Sequence, residues 1–501
     1  MTVYNINLGI GWASSGVEYA QKYRAENLRS IGVDSKFVFT DLILDENIIH
    51  FTRNLDYKDS EIIWLYNYFT DMDLKPTTFT LADLEDTFEL KPIKVERNLD
   101  VVRYIYEDDY MITAYLARGE GDLVNRAEYV SRNCLIRKDF YMDKKFMSEY
   151  YIPKDNRAHL YQRRYFNSDG STAYEERVDG NNSIFVFKDA IIYSKEELVE
   201  YFIKKLNLNS KDIVILDRTT QIGQPILKNV KPAKVGVVVH AEHFSENATD
   251  EKNILWNNFY EYTFSNTNKI DFYITSTQLQ SDILKSQFEK YYGVSPKIYT
   301  IPVGSVDQLT YPISDRKKYS LITASRLAGE KNITWLVEAV SKLKKEIPNI
   351  TFDIYGSGPE ENKISALIKK LGATDYIHLK GHQNLKDVYK NYELYVSASG
   401  SEGFGLTLLE AISSGLPIVG FDVNYGNPTF INNNKNGYLV PKKYDDSTIL
   451  IEEFTKYLRK VYFENNIDKM IEESYKVAEN FLTKKVNLLW DNLIKEVLNN
   501  D

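Results

Sequence analysis

The sequence predicts an α/β protein built from two Rossmann-like, doubly wound domains, with an antiparallel β-sheet inserted into the first. Three observations carry this. Residues 1–45 read as strand, glycine-bearing loop, helix and strand. A long middle stretch alternates polar and apolar residues at period two. Beyond Asp307, apolar strands alternate with helical segments of about 10–16 residues, the pattern of a parallel sheet covered on both faces.

In the first stretch, Val3–Leu8 is extended and apolar, Gly9–Gly16 is a loop, Val17–Ile31 is helical and closes at Gly32, and Lys36–Thr40 is the next strand. From about 50 to 205 come runs rich in Tyr, Arg and Phe: Val101–Tyr106, Tyr110–Leu116, Ala127–Ile136, His159–Phe166, Thr172–Arg177 and Ile184–Phe187. Their alternation, with a turn at Asn167–Gly170, predicts an antiparallel sheet with one solvated face. Ser194 and Glu197 form a capping-box pattern for a helix running to Leu206.

The strand–helix rhythm resumes at Asp212–Asp217, Val235–Val239, Asp271–Thr275 and Lys297–Val303. The second series is cleaner. Strands are expected at Leu321–Ala324, Phe352–Tyr355, Ile377–Leu379, Leu394–Ser397 and Pro417–Phe421. Helices are expected at Asn332–Ile347, Glu360–Leu371, Leu385–Tyr392 and Phe404–Ser413. The expected domains are 1–49 with 206–305, the insertion 50–205, a second doubly wound domain 306–480, and a C-terminal helix 481–501 whose return to the first domain is left open.

Composition narrows the function classes. A balance of 62 basic against 71 acidic residues, net −9, favours solubility and argues against general nucleic-acid binding. The single cysteine, Cys134, excludes an intrachain disulfide and a Cys-rich zinc site. No secretory signal pattern is visible, and the longest apolar runs fall far short of the ~20 residues that span a bilayer. A soluble cytoplasmic protein is expected, with peripheral membrane association left open.

The sharpest motif is Ser401-Glu402-Gly403-Phe404-Gly405-Leu406-Thr407-Leu408-Leu409-Glu410. A glycine turn carries the first carboxylate and a helix the second. A helix opening near Phe404 presents free N–H groups to the loop, a ready place for a diphosphate. Gly403 and Gly405 allow close backbone approach. At ~1.5 Å of rise per residue, Glu402 and Glu410 reach opposite ends of an extended ligand. A surface loop with helix-capping glutamates is the bland alternative.

This paired-glutamate segment resembles the signature of the largest family of retaining glycosyltransferases with the GT-B fold. The resemblance implies that Glu402 contacts the transferred sugar and Glu410 the donor's ribose hydroxyls. It extends over Ser320–Val440. Arg326 and Lys331 match the residues that neutralise the donor diphosphate, Gly356 (with Gly358) the next strand-to-loop glycines, and Gly381-His382 the loop near the base. His240, ending an apolar strand, matches a histidine that contacts the donor hexose, and His243 is a second candidate. The loop before Gly16 is not a dinucleotide fingerprint, because its third glycine comes too late. Its place matches the family's first loop, so that Gly16, Val17, Glu18 and Tyr19 open a helix beside the donor. The whole nucleotide-sugar set is thus Gly16–Tyr19, His240, Arg326, Lys331, Gly356, Gly381, His382, Glu402–Thr407 and Glu410, with Glu402, His240, Arg326 and Lys331 as the catalytic members.

Over the whole chain, the opening Asn5–Tyr19, the tract His240–Ala248 and the sheet-rich insertion resemble the catalytic subunit of the serine-rich-repeat adhesin glycosyltransferases of Gram-positive bacteria. That resemblance implies transfer of a first sugar, N-acetylglucosamine or glucose, from its UDP donor to Ser/Thr of an adhesin. It also implies a homologous non-catalytic partner subunit, bound through the insertion. No metal cofactor is expected, and Asp71-Met72-Asp73, although it has the form of a metal-binding DxD, does not follow a Rossmann strand. The outward strands, with Arg163 and Arg164 as examples, are expected to dock the partner. Two other readings are a non-catalytic GT-B chaperone or binding subunit, and an enzyme that glycosylates a lipid or small sugar. The intact set of Arg326, Lys331, Glu402 and Glu410 argues against the first. An exposed apolar or basic membrane patch in the first domain would be needed for the second.

Overall fold

The computed structural model describes residues 1–11, 16–119, 121–155, 157–443 and 446–499. Trp12–Ser15 of the first glycine loop lie outside the described residues. The chain forms two compact units. One holds Met1–Ala25, Gly32–Val237 and Glu261–Ile270; the other holds Glu26–Ile31, Val238–Tyr260 and Asp271–Asp501.

In the first unit a parallel ladder runs in the order Lys234–Val239, Ile213–Leu216, Val3–Asn7, Ser35–Phe39, Ile62–Trp64. Ile6, Phe37, Val38, Phe39, Val214 and Val237 are completely buried, as strands covered on both faces require. The strand Ile62–Trp64 lies within the stretch expected as insertion, so the parallel ladder continues past residue 50 before the antiparallel sheet begins. The helix Lys195–Lys205 opens at Ser194, whose hydroxyl accepts from the Glu197 amide at 3.1 Å. Glu197 accepts from Tyr193, not Ser194, so only half of the expected capping box forms.

The antiparallel sheet has ten strands paired in chain order, from Lys94–Asn98 to Ile191–Ile192. The run expected as one strand at Ala127–Ile136 is two, Val124–Ser131 and Cys134–Tyr141. They are joined by a tight turn in which Arg132 and Asn133 both have positive φ, 49° and 58°. A hairpin turn of that hand matches the strand twist but usually announces itself with glycine, which is missing here. Arg163 does not face outward as expected; it is held between two buried glutamates, Glu149 and Glu176, on the neighbouring strands.

The second unit contains the parallel pair Phe272–Thr275 and Ile298–Thr300, and a six-stranded parallel sheet. The latter runs in the order Ile377–Gly381, Thr351–Tyr355, Ser320–Ala324, Leu394–Ser397, Ile418–Phe421, Gly437–Val440. Chain order reverses between Ser320–Ala324 and Leu394–Ser397. In open α/β sheets such a reversal leaves a crevice at the carboxyl ends of the strands.

Three expected helices differ, the one at Asn332–Ile347 only in ending early, as Ile333–Leu343. Leu385–Tyr392 is a turn ending in a short 3₁₀ segment, Tyr389–Asn391. Its apolar spacing suits a helix, but the Tyr389 and Tyr392 hydroxyls are drawn to Glu410 at 2.9 Å and Asp353 at 2.6 Å. The glycine-loop helix spans Leu406–Ser413 and so starts two residues later than expected. Gly405 sits at φ 89°, outside helical geometry, and the Phe404 ring is buried against Phe430 and Phe481.

Candidate active site

The site is built where the sheet order reverses. A small polar pocket there is lined by Thr323–Ser325, Lys331, Tyr395, Ser397–Ser399, Glu402 and Thr407, among others. After the strand Ser320–Ala324 the chain turns through Ser325–Asn332. Asn332, left-handed at φ 47°, donates from its side chain to the Ala398 carbonyl at 3.1 Å. The Gly400 amide donates to Glu330 O at 2.8 Å, which ties the two strand-end loops together. Glu402 and Lys331 come together across these loops: Lys331 Nζ lies 2.7 Å from Glu402 Oε2, with both side chains 19% exposed.

Main-chain bonds hold Glu402. Its N–H donates to Asn424 O at 3.1 Å, and its carbonyl accepts from the amides of Tyr425 and Gly426, both at 2.7 Å. Gly403 has no room for a side chain, since a Cβ there would lie 2.8 Å from the His240 carbonyl oxygen. That close approach puts the strand end at His240 beside the Glu402 loop. The helix Leu406–Ser413 carries no side-chain cap at Gly405, and its first amides face the loop side. Tyr395, 2% exposed, donates to the Ala324 carbonyl at 2.9 Å and lies 3.0 Å from Thr407 Oγ1. The Ser325 hydroxyl, in the same pocket wall, is buried without a hydrogen-bond partner among the described residues.

Glu410 lies further along the helix, where Tyr389 donates to its Oε2 at 2.9 Å. Burial raises its carboxyl above the usual range, and the Tyr389 bond offsets part of that. Arg326 is on the surface and pairs with Glu330 at 2.8 Å, so it does not join the Lys331–Glu402 pair in this structure.

The glycines have a reason of their own. A Cβ on Gly356 would fall 1.9 Å from Ser325 O, and one on Gly358 2.5 Å from Leu327 O, so chain crossing demands both. Gly356 N donates to Gly381 O at 2.8 Å; Gly381 itself has φ 68°, and His382 after it is exposed. Phe404 serves the core with its side chain, so only its backbone is available to a ligand. Gly16, Val17, Glu18 and Tyr19 form the first turn of the helix Gly16–Ser30 in the other unit.

His243 is fully buried: Nε2 meets Gln287 Oε1 at 2.8 Å and Nδ1 meets the Tyr425 hydroxyl at 3.0 Å. Burial lowers its pKa to about 4, so it is neutral at physiological pH and structural. Tyr425 also bonds the Glu242 carboxylate. The sequence reading missed Tyr425, Glu242, Asn424 and Tyr395. Tyr425 follows a strand end in Asp422-Val423-Asn424-Tyr425-Gly426, a position that would have flagged it. Asp71 accepts from the Ser168 amide and hydroxyl at 2.5 and 3.2 Å, a structural role, and Asp73 lies on the surface 3.6 Å from Lys75.

The two doubly wound sheets, the crevice where chain order reverses and the carboxylate–lysine pair beside a free helix N-terminus define a glycosyltransferase of the GT-B fold. Residues 312–477 match the family of glycosyl transferases group 1, and 94–189 match the GtfA extended beta-sheet domain. A UDP-N-acetylglucosamine–peptide N-acetylglucosaminyltransferase GtfA subunit of Streptococcus gordonii is 52% identical over 99% of both chains. The pneumococcal O-GlcNAc transferase GtfA, solved in complex with UDP and GlcNAc, superposes with a TM-score of 0.93 at 50% identity, covering 100% of this chain and 99% of that one. A chain of a GtfA/B complex superposes at 0.97 with 52% identity over the full length of both. The protein belongs to the GtfA subunit family of UDP-N-acetylglucosamine–peptide N-acetylglucosaminyltransferases.

Proposed function

We propose that this chain transfers N-acetylglucosamine from UDP-N-acetylglucosamine to Ser/Thr of a serine-rich-repeat adhesin polypeptide, with retention at the anomeric carbon. The observation that carries the reading is the Lys331–Glu402 pair at the sheet reversal, next to the uncapped N-terminus of Leu406–Ser413. Lys331, the first helix amides and Arg326, after its side chain leaves Glu330, stabilise charge growing on the departing diphosphate. The unpartnered Ser325 hydroxyl offers the same ligand a further donor. Glu402 orients the sugar, and His240 contacts it from the adjoining strand end. Glu410 accepts from the ribose hydroxyls through the carboxylate oxygen that Tyr389 leaves open. The acceptor hydroxyl attacks from the face the diphosphate leaves, and a donor phosphate oxygen takes its proton.

In this reading the protein works with a homologous non-catalytic subunit, in line with the GtfA/B complex its relative forms. The antiparallel sheet is the docking element, and the assembly acts in the cytoplasm. No helix among the described residues is long and apolar enough to cross a membrane. The deciding experiment offers UDP-N-acetylglucosamine and UDP-glucose separately, with a Ser-rich polypeptide, with and without the partner subunit. Transfer of N-acetylglucosamine supports the reading; transfer of glucose alone reassigns the donor, and transfer only to a lipid or small sugar reassigns the acceptor.

Two further results are expected. Glu410→Gln removes a charge-assisted bond to the ribose, which corresponds to ~1.5–3 kcal/mol. Calorimetry should therefore show UDP bound about 10- to 150-fold more weakly, and unchanged affinity removes Glu410 from the nucleotide site. Because amides and basic side chains supply the positive charge, transfer in EDTA is expected to stay close to the untreated rate. Loss on chelation, restored by manganese, would place a metal in the reaction.

A further inference from the structure

We infer that Tyr425 is a positioning residue for the reaction, clamping the Glu402 loop to the strand-end segment 240–243 and acting through Glu402. The inference rests on the assignment of Glu402 to the sugar side of the site. Two sets of bonds meet at Tyr425. Its backbone belongs to the Glu402 loop, since the amides of Tyr425 and Gly426 both donate to Glu402 O and Asn424 O receives the Glu402 amide. Its side chain belongs to the other segment, where the hydroxyl bonds Glu242 and lies 3.0 Å from His243 Nδ1. The ring is 1% exposed and stacks on the His243 imidazole at 5.7 Å.

Tyr425 links a line of polar side chains that runs from Glu242 through His243 to Gln287. His243 Nε2 lies 2.8 Å from Gln287 Oε1. The phenol donates its one proton to the Glu242 carboxylate, with His243 Nδ1 at 3.0 Å on its other side. Burial pushes the Glu242 carboxyl up, and the bond it accepts from Tyr425 offsets part of that. A hydrogen-bonded network of this kind, with Tyr425 and His243 buried at its centre, is rigid.

That rigidity bears on both catalytic groups. The His240 carbonyl oxygen lies 2.8 Å from where a Cβ on Gly403 would be, so the segment Tyr425 grips also abuts the Glu402 loop. The His240 and Ala241 amides are held in turn by the Tyr260 hydroxyl at 2.9 and 3.0 Å. Losing the Tyr425 hydroxyl frees the loop to move relative to His240 and Lys331. A misplacement of about 1 Å in a reacting geometry can cost about 100-fold in rate.

The test is Tyr425→Phe, which keeps the ring and its packing but removes the hydroxyl. The expected result is a fall of kcat by about tenfold to 100-fold, with UDP affinity within about twofold of wild type. In a Glu402→Gln background the same substitution should cost nothing further, because its effect passes through Glu402. Glu242→Gln, which still offers an amide oxygen to the phenol, should keep most of the activity, and Glu242→Ala should behave like Tyr425→Phe. Full activity of Tyr425→Phe beside an inactive Glu402→Gln overturns the positioning role. So do losses that multiply in the double variant, which indicate a general structural effect. An active Glu402→Gln would instead bring down the site assignment on which the inference stands.

Discussion

Glu402→Gln is expected to lower sugar transfer by about 100- to 1,000-fold while leaving UDP affinity nearly unchanged. The substitution keeps the shape of the side chain and removes its charge. Lys331, which pairs with Glu402 at 2.7 Å, then loses its ionic partner, and the sugar loses the acceptor that orients it. The loop itself should hold, because the bonds of residue 402 to Asn424, Tyr425 and Gly426 are all main chain. UDP should bind as before, since Glu410 and the first amides of Leu406–Ser413 are untouched. Single-turnover transfer and a UDP titration on the same preparation separate the two effects. Wild-type transfer by this variant removes Glu402 from the chemistry; loss of UDP binding moves it to the nucleotide.

The second large effect is on stability, and it follows from the inward position of Arg163. Its side chain is 16% exposed, and it sits between cross-strand neighbours Glu149 and Glu176, at 2.8 and 3.1 Å. The two glutamates are 4% and 3% exposed and are further bonded by Tyr151, Tyr165 and Ser183. Arg163→Ala leaves two buried carboxylates without their cation, at a cost of about 3–5 kcal/mol. Hydrogen exchange should show protection falling across Lys145–Lys154 and Thr172–Asp179, with the strand Ser320–Ala324 unaffected. Undiminished protection would show the pairing to be energetically idle.

Arg164, one residue on, is 42% exposed and pairs with Glu175 on the other face. Arg164→Glu should cost no more than about 1 kcal/mol of stability. It is therefore the substitution that tests partner docking on this face. Retained co-purification by this and other folded variants of the face would assign docking to another surface.

Much of the second unit was legible in the sequence. Its buried strands are short apolar runs and its helices repeat every three to four residues, so each element declares itself locally. The paired glutamates were also legible, because a glycine turn feeding a helix is a local pattern. The exceptions were also physical. Leu385–Tyr392 has helical spacing, yet distant carboxylates claim two of its tyrosines. The turn at Arg132-Asn133 lacked the glycine that would have split one strand into two.

In the antiparallel sheet, alternation announced strands but not which face was inside. Arg163 and Arg164 are adjacent and therefore point oppositely, and a period of two carries no sign. The sequence by itself determined the α/β class, the order of the motifs and the helix that follows the paired-glutamate loop, because these depend on periodicity and on glycines at turns. Tertiary structure alone decided that Lys331 meets Glu402, that Arg326 turns instead to Glu330, and that Tyr425 bonds Glu242 from 183 residues away. Such pairs depend on where chain segments cross, and neither the spacing nor the composition of a segment records what will be packed against it.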